Sequence, residues 1–124
     1  MPAQSPEEIH ALLAARLSAG DLEALVELYE HDAALIVPPE GQQVSGRDAI
    51  RVALQPTVAL APSMRSEVVG KLQADGLALT HARVNVVAGD GRERLEVSGR
   101  GTIVSRQQPD GTWRIVLDNP MSPD

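Results

Sequence analysis

Three turn signals divide the second half of the chain and leave few ways to fold it. Asp75-Gly76, Gly89-Asp90-Gly91 and Pro109-Asp110-Gly111 are glycine-bearing turns of the kind that close β-hairpins. Around and between them lie runs rich in Val, Leu, Ile and Thr: Glu67 to Leu72, Leu77 to Ala88, Arg92 to Gln107 and Thr112 to Asn119. Pro120 is expected to stop the last run, and Gly99 and Gly101 predict a bulge or bend in the third. The pattern predicts a meander of long antiparallel strands, because hairpin turns join only antiparallel neighbours.

The first half carries helical punctuation instead. Met1 to Gln4 is expected to be a frayed tail. Ser5-Pro6-Glu7-Glu8 has Ser at an N-cap, Pro at the first helical position and Glu at the third. Ile9, Leu12, Leu13 and Leu17 then supply an apolar stripe. Gly20 suits a left-handed helix end, and Asp21 is an N-cap for the next helix. Leu22, Leu25, Val26, Leu28 and Tyr29 recur at helical spacing, opposite Glu23, Glu27 and Glu30. His31-Asp32 is read as the end of that helix, Ala33 to Val37 as a strand, and Pro38-Pro39 as its stop. Glu40 to Ser45 is read as a polar turn. Gly46 to Leu54 forms a third helix with Ile50 and Leu54 on one face, limited by Gln55-Pro56. Thr57 to Ser63 is left irregular.

Helices and one early strand, followed by a meander, make an α+β layout with helices on one face of the sheet. Long bent strands curl, and a curled sheet with helices across its concave side encloses a hollow.

Composition narrows what such a hollow can hold. Phe is absent, and Tyr29 and Trp113 are the only aromatics, so the walls must be aliphatic and cannot be a base-stacking platform. A formal net charge of −6 opposes binding to a phosphate backbone, so no nucleic-acid partner is expected. The chain has no cysteine, which removes disulfides and thiolate metal sites. No stretch approaches the roughly 20 apolar residues of a membrane helix, so no membrane partner and a cytoplasmic location are expected.

Four segments carry a family likeness: Gly20-Asp21-Leu22-Glu23-Ala24-Leu25, Leu28-Tyr29-Glu30-His31-Asp32-Ala33, Gly46-Arg47-Asp48-Ala49-Ile50, and Gly111-Thr112-Trp113-Arg114-Ile115-Val116-Leu117-Asp118-Asn119. In this order the chain resembles the nuclear-transport-factor-two-like superfamily, and within it SnoaL-like and ketosteroid-isomerase-like proteins. The resemblance implies a cone-shaped, curved antiparallel sheet wrapped around N-terminal helices, a cystatin-like α+β barrel, formed by residues 1–124 as one domain. It also implies a pocket between helices and sheet, and a homodimer through the outer sheet face. Functions in the superfamily range from isomerases, cyclases and hydratases to ligand carriers and association domains, so fold does not settle function. Ketosteroid isomerisation needs a carboxylate base, a Tyr and a protonated Asp. Aligned on the family's pattern, these would fall at Val37, at Ala14 and within Gly99 to Thr102. None of those positions carries the needed group, and that activity is rejected.

Other residues remain candidates, each with a plainer reading beside it. Asp118 and Asn119 end the last predicted strand, where an acid could anchor a ligand or act as a base; strand-end capping is the plainer role. His31 and Asp32 could sit at a pocket rim, but Asp32 in a turn more often bonds backbone amides. His81, Arg83 and Asn85 share one face of a strand and Ala82, Val84 and Val86 the other. The polar set is either a pocket wall or, as is commoner for a one-sided sheet, a solvent face. Arg92, Arg94, Arg100 and Arg106 read chiefly as cross-strand partners of acids such as Glu96. Tyr29 and Trp113 are core rings that could touch a ligand. No metal site is visible: His10 and His31 lack partners at ligand spacing, and Gly89-Asp90-Gly91 lacks the strand–helix context of a phosphate loop. No cofactor is expected.

The leading expectation is a small-molecule-binding protein whose ligand-binding residues are Tyr29, Val37, Leu54, Met64, His81, Arg83, Trp113 and Asp118, the ligand being a small apolar or weakly anionic molecule. One alternative is an isomerase-, cyclase- or hydrolase-type enzyme with Asp118 or His81 as general base. Another is a non-catalytic association module whose hollow is filled by Leu, Met64 and Val side chains.

Overall fold

Capping choices set both ends of the first helix and the start of the second. In the computed structural model, which describes residues 2–37, 41–89 and 94–122, helix α1 spans Pro6–Ala19. Ser5 Oγ accepts the Glu8 amide at 3.1 Å, which satisfies one of the donors a helix start leaves unpaired. Gly20 ends α1 at φ +71°, a conformation that costs nothing without a Cβ. Helix α2, Leu22–Val26, starts at once, and Arg16 Nη1 donates to the Ala24 carbonyl at 2.7 Å across the corner. Of the tail expected to be frayed, Met1 lies outside the described residues, and Ala3 and Gln4 are held in place. Ala3 is buried, and its carbonyl accepts the Trp113 amide at 2.9 Å.

The helix expected to run through Tyr29 stops early. Tyr29 opens strand β1, Tyr29–Val37. The apolar spacing of residues 25–29 is helical, and pairing with the last strand overrides it: the Ile115 amide donates to the Leu28 carbonyl at 2.7 Å. His31 and Asp32 loop out of β1, since the register with the last strand slips between Tyr29 and Ala34. Residues 42–45 are a strand rather than a plain turn: β2, Gln42–Ser45, pairs antiparallel with β1. Helix α3, Arg47–Ala59, continues through Pro56 instead of ending before it. Pro56 is exposed, so its ring meets solvent while the helix loses one hydrogen bond. Arg47 turns back and donates from Nε and Nη2 to the Tyr29 carbonyl, at 2.9 and 2.6 Å.

The meander follows as strands β3 (Ser63–Ala74), β4 (Leu77–Ala88), β5 (Leu95–Gln107) and β6 (Trp113–Ser122). β4 has the predicted bounds. β3 starts earlier, inside the segment left irregular, and Pro120 lies within β6 instead of stopping it. The curved sheet has the order β2-β1-β6-β5-β4-β3. Each pair is antiparallel except β1 with β6. The Pro38-Pro39 stop, Glu40, the Asp90-Gly91 turn and Arg92 lie outside the described residues.

The helices cover one face of the sheet and make the cone. Ile9, Leu28, Tyr29, Leu35, Ile50, Ile103, Trp113 and Ile115 form the core between them. On β4 the inward residues are Ala78, Thr80, Ala82 and Val84. By alternation His81, Arg83 and Asn85 face outward.

Candidate functional site

A bulge in β6 creates the site. Ser105 on β5 is opposite Ile115, yet Val104 is opposite Leu117, so β6 carries one extra residue there. An extra residue reverses which side chains face inward. Ile115 points into the core on one side of the bulge. Beyond it Asp118 points inward and Leu117 outward, so that Leu117 is 51% exposed and Asp118 only 4%. Asp118 therefore stands in mid-strand, between Ile103 on β5 and Leu35 on β1, rather than at a strand end. Pro120 falls at a second slip in the register, between Arg100 and Thr102, where a missing amide hydrogen is tolerated.

Above Asp118 the helices leave a cavity of about 150 Å³. Leu13 and Leu17 of α1 and Leu25 of α2 form one wall. Leu54 and Thr57 of α3, with Met64 at the start of β3, form another. Val84 and Val86 of β4 lie across from them, and Tyr29 and Asp118 supply the polar floor. The Tyr29 hydroxyl donates to Asp118 Oδ2 at 2.6 Å. Asp118 Oδ1 is buried and has no hydrogen-bond partner.

Burial sets the protonation of this pair. It raises the Asp118 carboxyl to about 6, while the bond from Tyr29 opposes the rise. Burial also raises the Tyr29 phenol well above its ordinary value, and the Asp118 charge raises it further. Tyr29 is thus a permanent donor. Asp118 is a base of near-neutral strength with one free oxygen, a combination frequent at functional sites.

Of the residues expected to contact a ligand, Tyr29, Leu54, Met64 and Asp118 meet at this cavity. The others lie elsewhere. Val37 packs against the core at the far end of β1, and Trp113 is core beside Ala3. His81 and Arg83 are on the outer face, where His81 Nδ1 lies 3.0 Å from Thr102 Oγ1 and Arg83 stands opposite Glu67. His81 is therefore remote from the cavity it was expected to serve as a base. Asn85 donates to Glu96 and Ser98, and Arg106 pairs with Glu30 at 3.0 Å. His31 and Asp32 are fully in solvent. Sequence reasoning had not picked out Leu13, Leu17, Leu25, Thr57 and Val86 as ligand contacts. The helical stripe of Leu13 and Leu17 was the available signal for two of them.

A wider cleft of about 670 Å³ passes Arg65, Glu67, Arg83 and Asn85. It is open to solvent, and Glu67 stands opposite Arg83 on the neighbouring strand. The smaller cavity, with a desolvated carboxyl on its floor, is the one with chemical character.

Comparison with known proteins agrees with this architecture. A family model described as a SnoaL-like domain matches residues 9–116. No curated protein matches the chain. Among solved structures, a candidate calcium/calmodulin-dependent protein kinase type II association domain from Thiobacillus denitrificans is similar at 21% identity, with TM-score 0.78 and 98% of each chain covered. A candidate dehydratase of the NTF2-like family from Streptomyces avermitilis is 16% identical, with TM-score 0.75 and 93% of each chain covered. An NTF2-like protein of unknown function from Pseudomonas putida is 18% identical, with TM-score 0.76, over 94% of this chain and 83% of that one. Similarity at this level establishes the fold and leaves the chemistry to the site.

Proposed function

The chain belongs to the SnoaL-like family, and on that premise we propose that it binds a small, mainly aliphatic molecule that presents a hydrogen-bond donor to Asp118. One observation carries the reading: Asp118 Oδ1 is buried without a partner, and Asp118 lines a mainly apolar cavity. A buried acceptor left unpaired costs about 1–3 kcal/mol, more when charged, and a ligand donor would recover much of that. Of the apolar or weakly anionic ligand expected from the sequence, the anionic form is disfavoured, because among the described residues no Arg, Lys or His lines the cavity and Asp118 would repel it. The raised basicity of Asp118 favours the reading of an enzyme with Asp118 as general base, whereas the position of His81 on the outer face beside Thr102 speaks against His81 in that role. The test is a methyl-resolved NMR titration with cyclohexanol. Shifts confined to the methyls of Leu13, Leu17, Leu25 and Leu54 support the reading, and an unchanged spectrum refutes it.

A second role, self-association, is favoured by a separate observation. One row crosses the outer sheet face through Ala34, Leu117, Val104, Leu79 and Leu72 on five successive strands. Leu117 is 51% and Leu72 73% exposed. A contiguous apolar row of this kind marks a protein contact surface. The occupant we assign is a second copy of this chain, since charged residues flank the row with both signs, Arg106 and Arg114 beside Glu30, as a two-fold contact between identical faces requires.

A further inference from the structure

We infer that the ligand is a small aliphatic amine, bound as its ammonium ion against Asp118 Oδ1. The inference rests on the ligand reading above and narrows its chemistry. It starts from charge. Among the described residues, the floor of the cavity holds one carboxyl, and none of the helices or strands around it brings a cation to its lining. Toward Asp118, α1 presents Leu13 and Leu17, α2 presents Leu25, and α3 presents Leu54 and Thr57. Among the strands, β3 presents Met64, β4 presents Val84 and Val86, and β1 presents Leu35 and Tyr29. Ile103 of β5 stands beside it. Among the described residues Tyr29 is the titratable group that bonds it. His10 of α1 is turned away, its Nε2 at 2.6 Å from Thr80 Oγ1. Glu7 pairs with Lys71 at the edge, and Arg47 is spent on the Tyr29 carbonyl.

A buried carboxylate without a counter-ion is unfavourable, and a paired one much less so. A hydroxyl ligand would satisfy Oδ1 but leave the charge unbalanced. An ammonium does both. It carries three donors, and the Tyr29 and Thr57 hydroxyls at the cavity wall supply further acceptor oxygens. The remaining wall is aliphatic, which suits a hydrocarbon body rather than a second polar group. A cavity of about 150 Å³ accommodates a body about the size of a six-membered ring.

Three cyclohexyl probes test this: cyclohexylamine, cyclohexanol and cyclohexanecarboxylate, titrated by calorimetry and followed at the cavity methyls by NMR. At pH 7.5 the amine is expected to bind at least 10-fold more tightly than the alcohol, and the carboxylate not at all. At pH 5 Asp118 takes up a proton, and the amine's advantage should fall about 10-fold while the alcohol changes little. Asp118→Asn should weaken the amine at least 10-fold and the alcohol less than 3-fold. The variant also separates the cavity from the acidic surface, where a net charge of −6 attracts any cation. Tyr29→Phe, which keeps the carboxylate, should retain the amine preference. If the alcohol matches the amine in wild type at both pH values, or if Asp118→Asn binds the amine undiminished, the amine assignment is overturned and the donor-binding reading stands. If no probe moves the cavity methyls, both fall.

Discussion

The Tyr29 hydroxyl and Asp118 Oδ2 meet at 2.6 Å across 89 positions of sequence, joining the first residue of β1 to the middle of β6. Among the described residues this bond is the one side-chain hydrogen bond made by Asp118, a group that burial would otherwise leave uncompensated. Hydrogen bonds to charged groups contribute about 1.5–3 kcal/mol. Tyr29→Phe is therefore expected to lower stability at pH 7 by about 2 kcal/mol. In an Asp118→Asn background the same change should cost less than about 1 kcal/mol, because the amide carries no charge to stabilise. Denaturant unfolding of the four proteins closes the cycle; equal costs in both backgrounds would show that the pair is not coupled.

Two buried groups should oppose each other as pH falls. Asp118 is raised to about 6 from 3.8 by burial. Folding therefore favours its protonated form, and its contribution to stability grows as pH drops from about 6 to 4. His10, 3% exposed, is lowered to about 4 from 6.5, chiefly by burial, with Glu7 opposing. Folding favours its neutral form, so its contribution is lost over nearly the same window. Each effect amounts to about 3 kcal/mol. Wild-type stability is expected to change little between pH 7 and 4, whereas Asp118→Asn should lose about 3 kcal/mol over that range and His10→Gln should gain about as much. Urea midpoints at four or five pH values read this directly. Parallel profiles for all three proteins would contradict it.

Much of this could be read in the sequence, and the failures share a cause. Ser5 with Pro6, Gly20 with Asp21, and the Asp75-Gly76 turn act through their own backbone, so local chemistry placed them correctly. Tyr29, Pro56 and Pro120 were misread because tertiary context overrode local preference. Ile115 drew residue 28 into the sheet, an exposed face tolerated the Pro56 ring, and a slipped register accommodated Pro120. The cavity depends on the bulge beside Val116. Strict alternation from Ile115 would turn Leu117 inward and Asp118 outward, and nothing local to Val116 announces the extra residue. Alternation did divide β4 correctly into two faces. Only the helices packed on Ala82 and Val84 reveal which face is inside.

Gly101 is needed where β5 passes under the cavity. A Cβ there would lie 3.1 Å from the Pro120 carbonyl oxygen and 3.2 Å from Val84 Cγ2, and one of those neighbours is backbone that cannot rotate away. Overpacking of this kind costs about 1–3 kcal/mol. Gly101→Ala is expected to lower thermal stability by that amount and to move the Val84 methyl resonances. Gly111→Ala is a poor control because its φ is +87°. Val52→Ala, on an exposed position of α3, should be close to neutral. Full stability in Gly101→Ala would mean that β6 yields at Pro120.

The outer-face row makes the last prediction. Leu117 is placed outward by the same bulge that turns Asp118 inward, so one register slip serves both the cavity and the proposed contact between copies. Within such an interface, a charge at position 117 would be desolvated among apolar side chains without a counter-ion, which is costly. Leu117→Asp is expected to give a monomer in sedimentation at concentrations where wild type is dimeric. Val52→Asp, on the opposite side of the molecule, should leave the dimer intact. Because Leu117 points away from the cavity, Leu117→Asp should still bind the cavity probe. A monomeric wild type, or a Leu117→Asp protein that remains dimeric, would remove the outer face as the site of self-association.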